Sequence, residues 1–95
     1  MKKRVLITGS SRGIGKATAL LLAKNDYDVV LHCNKNIDKA KEVQAEINEI
    51  GTNSSYVLQF DITNREITKK VLEEDIEKNG IYYGVILNAA IAKDN

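Results

Sequence analysis

The sequence predicts an α/β protein built on a doubly wound parallel sheet. Three observations carry that prediction. Short apolar runs alternate with segments of helical period along the whole chain. A glycine-rich turn, Thr8-Gly9-Ser10-Ser11-Arg12-Gly13-Ile14-Gly15, joins the first apolar run to the first helical segment. The run Asp28-Val29-Val30-Leu31-His32-Cys33 is apolar on both faces, as a parallel strand between two layers of helices should be.

The elements follow in order. Arg4 to Thr8 reads as a buried strand, a short apolar run ended by glycine. The first helix spans about Gly13 to Lys24, with Ile14, Ala17 and Leu21 on one face and Asn25-Asp26 as its end. Asp28 to Cys33 is the second strand, and Asn34-Lys35-Asn36 is a turn. The second helix covers Ile37 to Ile50, with Ala40, Val43, Ile47 and Ile50 at helical spacing and Gly51 as a C′ stop. Ser55 to Phe60 is the third strand. Thr63-x-x-Glu66 reads as a capping box opening a third helix, whose apolar stripe is Ile67, Val71, Leu72 and Ile76 and whose end is Asn79-Gly80. Gly84-Val85-Ile86-Leu87-Asn88 is the fourth strand. Right-handed crossovers then give strand order 3-2-1-4. The first two helices cover one face and the third covers the other.

Composition narrows the function. A chain of 95 residues makes one domain at most and buries only about two-thirds of its unfolded surface. The net charge of +1 makes no electrostatic case for nucleic acid or an anionic membrane. Lys2-Lys3-Arg4 reads as a solvated terminus, because the apolar run after it is too short for a signal peptide. No apolar stretch nears the roughly 18 residues that span a bilayer. The single cysteine, Cys33, excludes an internal disulfide and fits a reducing cytoplasm. No His, Cys or carboxylate pair has metal-site spacing.

A strand, a glycine turn and a helix in that order form an anion site, with unpaired N–H groups and the positive end of the helix dipole facing the ligand. Three patterns compete for the turn. The G-x-G-x-x-G fingerprint fails at its last position, which is Thr18. The P-loop pattern finds Gly15-Lys16 but has Ser10 where its first glycine belongs and Ala17 where a Ser or Thr would hold Mg²⁺. Asp61, after Tyr56-Val57-Leu58-Gln59-Phe60, is what would speak for a P-loop protein. The pattern T-G-x-x-x-G-x-G fits at every position. In this the chain resembles the short-chain dehydrogenase/reductase family, which implies a Rossmann-like fold cut off here after its fourth strand. Asn88-Ala89-Ala90-Ile91-Ala92-Lys93-Asp94-Asn95 is similar to the N-A-G-I-T-R-D-N stretch of the 3-oxoacyl-[acyl-carrier-protein] reductases within it.

The resemblance implies a nicotinamide cofactor across the carboxyl ends of the strands. It carries the contacts to Gly9, Ser11, Arg12, Gly13, Ile14 and Gly15 of the turn, to Asn34 and Lys35 after strand 2, to Asp61 and Ile62 after strand 3, and to Asn88 and Ala89 after strand 4. Asp61 would accept from the adenine amino group. Ala90 stands where the family has glycine, so an extra methyl faces the cofactor ribose. An NAD-preferring site usually carries Asp or Glu at the end of strand 2. This chain has His32-Cys33-Asn34-Lys35 there, and Arg12 precedes the second glycine. Cations without a carboxylate suit a 2′-phosphate, hence NADP(H).

The family's chemistry needs Y-x-x-x-K and a Ser. Tyr27, Tyr56, Tyr82 and Tyr83 are followed at the fourth position by Leu31, Phe60, Ile86 and Leu87. Family members run to roughly 250 residues as one domain. The chain therefore corresponds to the cofactor half, with an acyl-carrier-protein-bound substrate reserved for a full-length parent. The alternative is a non-catalytic nucleotide-binding or interaction module. The open edge of strand 4 and a sheet face under one helix favour a homo-oligomer.

Overall fold

A computed structural model describes residues 3–10, 13–50 and 55–88. The elements run β1 (Arg4–Ile7), α1 (Gly13–Lys24), β2 (Asp28–Cys33), α2 (Ile37–Ile50), β3 (Ser55–Gln59), α3 (Arg65–Asn79) and β4 (Gly84–Ile86). All pairings are parallel and the order is β3-β2-β1-β4. The sheet is therefore the expected one. Gly51 and its proposed helix stop lie outside the described residues.

Strand alternation sorts the core into two faces. Val5, Ile7, Val29 and Leu31 pack with Ala19 and Ala23 of α1 and Val43 and Ile47 of α2. Leu6, Val30 and Tyr56 are in register across β1, β2 and β3 and point the other way, toward α3. The buried residues of α1 are small, which lets the helix lie close to the sheet, and Leu20 and Leu22 pack at the margin of the core. Its Ile14-Ala17-Leu21 face is the solvent face instead: Ile14 is 77% exposed and Leu21 61%. Helical spacing identified a stripe, but packing chose the opposite one, Gly15, Ala19 and Ala23. The end of α1 came at Asn25-Asp26. Asp26 takes φ 73°, its N–H donates to Ala23 O, and Tyr27 N–H donates to Leu22 O. That is a Schellman closure with aspartate in the place glycine usually holds.

The third helix begins one residue later than the Thr63 capping box implies. Asn64 is the N-cap, its side chain accepting from Ile67 N–H at 3.0 Å. Thr63 is taken instead by Asp61, whose Oδ1 accepts from the Thr63 N–H at 2.9 Å and from its hydroxyl at 2.7 Å. An aspartate two residues upstream offers a charged acceptor and forms an Asx turn, which removes Thr63 from the cap.

The one buried residue of α3 is Asp75, not a member of the apolar stripe. Arg4 Nη1 sits 2.8 Å from its Oδ2, Tyr56 donates to Oδ1 at 2.7 Å, Tyr82 to Oδ2 at 2.5 Å and Asn79 to Oδ1 at 2.9 Å. Arg4 also donates to Tyr56 Oη and Gly80 O and lies over the Tyr82 ring at 4.7 Å. The network ties β1, β3, α3 and the approach to β4 together at the amino end of the sheet. Burial alone would raise the Asp75 carboxyl, but donors from Tyr82, Tyr56, Asn79 and Arg4 hold it below the ordinary value. Burial and Asp75 push the Tyr56 phenol up to about 12.

The sign of the pH effect follows. A carboxyl depressed on folding stabilises above its unfolded value of about 3.9 and loses that contribution as pH falls below it. Acid unfolding should therefore steepen below about pH 4. Asp75→Ala should flatten that limb and cost about 3 kcal/mol or more at neutral pH, because it strands the Arg4 charge in a largely buried place. Urea midpoints of both proteins across pH measure it. An unchanged acid limb in the variant counts against the network.

Candidate functional site

The carboxyl ends of the four strands converge on the glycine turn, at the point where the sheet reverses between β1 and β4. Gly9 is its centre. Its φ is 62°, and Gly13 at the far side of the turn has φ 64°, a region that side-chain-bearing residues enter at a cost. The Gly9 N–H donates to His32 Nδ1 at 3.0 Å, and the Gly9 carbonyl accepts from Asn88 Nδ2 at 3.1 Å. A Cβ on Gly15 would lie 2.3 Å from the Gly9 oxygen and 2.6 Å from Asn88 Nδ2, so only glycine lets α1 come this close.

Neighbouring bonds fix the same point. Asn88 N–H donates to Thr8 Oγ1 at 2.8 Å, and Thr8 N–H donates to Ile86 O at 3.0 Å, which seals β1 to β4. Ser10 is buried and extends β1 onto β2. Its N–H donates to His32 O at 3.1 Å and its hydroxyl accepts from His32 N–H at 2.9 Å. His32 Nε2 lies 2.9 Å from Phe60 O, carrying the connection to the end of β3. Burial pushes the His32 imidazole below its ordinary value, with Phe60 and Asp61 opposing. Thr8, Ser10 and His32 do not appear in the glycine pattern as ligand contacts. They are the supports of the turn, and a polar residue just before or inside a buried strand end was the signal for each.

The structure places the described members of the expected site as follows. Gly9 follows the end of β1, while Gly13, Ile14 and Gly15 stand at the start of α1, where the first N–H groups of a helix have no intrahelical partner. Ile14 projects into solvent there. Asn34 and Lys35 are exposed in the turn after β2. Asp61 and Ile62 follow β3, with Thr63 holding the Asp61 carboxyl below its ordinary value and Lys35 adding to the effect. Asn88 closes the β4 side. Ser11, Arg12 and Ala89 lie outside the described residues. Cys33, where an acid would stand, is buried, and burial pushes its thiol up. Lys16 pairs with Glu46 of α2 at 3.2 Å. Among the described residues no group of three or more His, Cys, Asp or Glu could hold a metal ion. No helix among them is long and apolar enough to cross a membrane.

The family model for short chain dehydrogenases matches residues 3–95. The chain belongs to the short-chain dehydrogenase family. It is 48% identical over 95 residues to a 3-oxoacyl-[acyl-carrier-protein] reductase of Aggregatibacter actinomycetemcomitans, covering all of this chain and 39% of that protein. An uncharacterized oxidoreductase of Listeria monocytogenes is 40% identical over 91 residues, 94% of this chain and 35% of that one. Among solved structures, acetoin dehydrogenase from Salmonella typhimurium superposes with a TM-score of 0.85 at 27% identity, over 96% of this chain and 37% of that one. An alcohol dehydrogenase from the archaeon Thermococcus sibiricus, complexed with 5-hydroxy-NADP, gives 0.80 at 26% identity, over 90% and 36%. The chain thus spans about two-fifths of the length of the curated relatives it matches.

The geometry at Gly15 yields a test. Gly15→Ala must displace the Gly9 carbonyl or the Asn88 amide. It should cost about 1–3 kcal/mol of stability, the range for overpacking a tight site. Substituting the exposed Ala17, two residues along, by Ser should cost under about 0.5 kcal/mol. Chemical unfolding of the two variants side by side measures the contrast, and equal losses would remove the close approach as the reason for Gly15.

Proposed function

We propose that the chain is the NADPH-binding part of a short-chain ketoreductase most like the 3-oxoacyl-[acyl-carrier-protein] reductases. The observation that carries this is the convergence on Gly9. Asn88, His32 and Gly15 hold the turn so that the first N–H groups of α1 face out at the carboxyl end of the sheet. Such groups suit the pyrophosphate of a dinucleotide. Asp61 stands where adenine would end, and Ser11, Arg12 and Ala89 complete the contacts.

Preference for NADPH rests on the end of β2. The 2′-phosphate needs donors, and this strand end offers exposed Asn34 and Lys35 with a buried thiol in place of a carboxylate. Arg12 adds a planar fork. Bound NADPH supplies a hydride. The proton donor, its lysine and the serine that holds the substrate oxygen belong to a full-length parent acting on an acyl-carrier-protein-bound ketone in the cytoplasm. None of the four tyrosines here has lysine at the fourth position after it. That observation favours a second reading, in which the short chain itself acts as a non-catalytic nucleotide-binding module. An in-frame continuation past Asn95 containing Y-x-x-x-K decides for the first reading, and a stop codon for the second.

Dissociation constants for NADPH and NADH at one ionic strength test the cofactor. One or two hydrogen bonds to a charged phosphate give NADPH an advantage of roughly ten- to several-hundred-fold. Arg12→Ala should weaken NADPH and leave NADH nearly unchanged. Cys33→Asp should invert the preference, at a cost in stability because the new carboxylate enters a desolvated place. Equal binding of both cofactors by the unmutated chain, or equal weakening of both by Arg12→Ala, sinks the NADPH assignment. The purified chain should consume no NADPH with a β-ketoacyl substrate, since binding a hydride donor without the proton donor stabilises the transition state little.

Self-association belongs to the same reading. Ile81, Tyr83, Val85 and Leu87 alternate along β4 and its approach, and all are exposed. An apolar row on an edge strand seeks a partner. Light scattering at tens of micromolar should find assemblies larger than one chain, and a clean monomer counts against a homo-oligomer.

A further inference from the structure

One buried imidazole spans the site from the phosphate side to the adenine side. His32 is 1% exposed, and its main chain and ring are fastened to the turn at three atoms. Its N–H donates to Ser10 Oγ, its carbonyl accepts from Ser10 N–H, and Nδ1 accepts from Gly9 N–H at 3.0 Å. On the far side Nε2 meets the Phe60 carbonyl at 2.9 Å, and the imidazole packs on the Phe60 ring with centroids 4.4 Å apart. Asp61, the residue placed beside adenine, follows Phe60 directly.

The partners dictate the state of the ring. The Gly9 N–H can only donate, so Nδ1 must carry a lone pair. The Phe60 carbonyl can only accept, so Nε2 must carry the hydrogen. One neutral tautomer satisfies both, and the imidazolium satisfies only one. A proton on Nδ1 would point at the Gly9 N–H and leave two donors facing each other in a buried place.

We propose that His32 is the positioning residue of the cofactor groove, setting the glycine turn against the end of β3, and that it does so only as the neutral Nε2–H tautomer. The proposal rests on the cofactor reading given above. It predicts that acid weakens cofactor binding by protonating a residue that never touches the cofactor. The charged group acting on the ring, among the described residues, is Asp61, which favours the imidazolium, and Lys35 lies beside that carboxylate. Burial outweighs Asp61 and the Phe60 carbonyl, so the imidazole lies below its ordinary value, which favours the neutral ring.

The experiment compares the chain with His32→Asn and His32→Leu. An asparagine amide oxygen can accept from Gly9 N–H in place of Nδ1, and it does not titrate. Leucine does not titrate either, but it cannot accept from the Gly9 N–H. Dissociation constants for NADP⁺, which survives acid, are measured from about pH 8 to pH 5. The 2′-phosphate titrates in this range for every protein, so the difference between the two profiles isolates His32. The unmutated chain should lose about tenfold more affinity than His32→Asn across the range. His32→Leu should bind weakly at every pH, and His32→Asn should recover only the part of the loss that belongs to the Gly9 bond, because its side chain replaces Nδ1 and not Nε2. Nitrogen-15 spectra of the imidazole should show a protonated Nε2 and a bare Nδ1 at neutral pH, with the Gly9 amide moving as the ring titrates.

Parallel pH profiles for the unmutated chain and His32→Asn overturn the proposal while leaving the cofactor reading intact. So does a gain of affinity in acid relative to His32→Asn, which would make the imidazolium an attractive charge. So does a Gly9 amide that ignores the titration. Failure of the unmutated chain to bind NADP⁺ at any pH removes the cofactor reading and this proposal with it. If His32→Leu does not fold, the comparison with His32→Asn and the spectra still decide.

Discussion

The peptide unit of Gly9 is the point on which the carboxyl end of the sheet depends. Its N–H is held by His32, its carbonyl by Asn88, and its left-handed φ turns the chain out of β1 toward α1. Gly15 presses against the same carbonyl from the start of the helix. Strands β1, β2 and β4 and helix α1 therefore meet at one amide. A buried amide left without partners would cost on the order of 1–3 kcal/mol per group, so the contacts reinforce one another. Moving any one of them forces the others to find new acceptors or donors.

That arrangement decides which groups remain for a ligand. The Gly9 and Ser10 N–H groups are spent on His32. Lys16 is turned to Glu46 on α2. What faces outward is the backbone at the start of α1, followed by whatever side chains flank it. A helix N-terminus of this kind can bind an anion through main-chain donors. The division also explains why the dinucleotide and P-loop patterns matched only in part. The turn's geometry is set by Gly9 and Gly15, and neither pattern has a glycine at Gly9.

Much of this was legible in the sequence, because much of it is local. Both strand order and the position of the turn follow from alternation of apolar runs with helical segments and from one glycine pattern. The errors arose where two local options competed. Thr63 and Asn64 are both good caps, and Asp61 settled the matter by capturing Thr63. The Ile14-Ala17-Leu21 face of α1 looked like a core stripe, but the sheet accepted the smaller residues. The least legible feature was the Asp75 network. Arg4 and Asp75 are 71 positions apart, and Asp75 sits in a helix rich in charge, where nothing in the spacing marks it as buried. Only the fold brings its four donors together. His32 was readable as a strand-end residue, yet its role needed the two carbonyl and amide partners that only the structure places.

The two ends of the sheet differ in hydrogen-bond satisfaction more than in charge. At the amino end, the Asp75 carboxylate receives Arg4, Tyr56, Tyr82 and Asn79, so both oxygens are filled by the protein itself. A carboxylate with four donors is a fastening, since a ligand would have to break a bond to make one. At the carboxyl end the fastening is done by neutral groups, His32, Ser10, Thr8 and Asn88, which consume the inner donors and leave the helix start facing out. Arg4 and Asp75 form a largely buried ion pair, so charge alone draws attention to the amino end. The Gly9 and Ser10 peptide groups are paired within the protein, whereas the first N–H groups of a helix such as α1 have no partner within the helix.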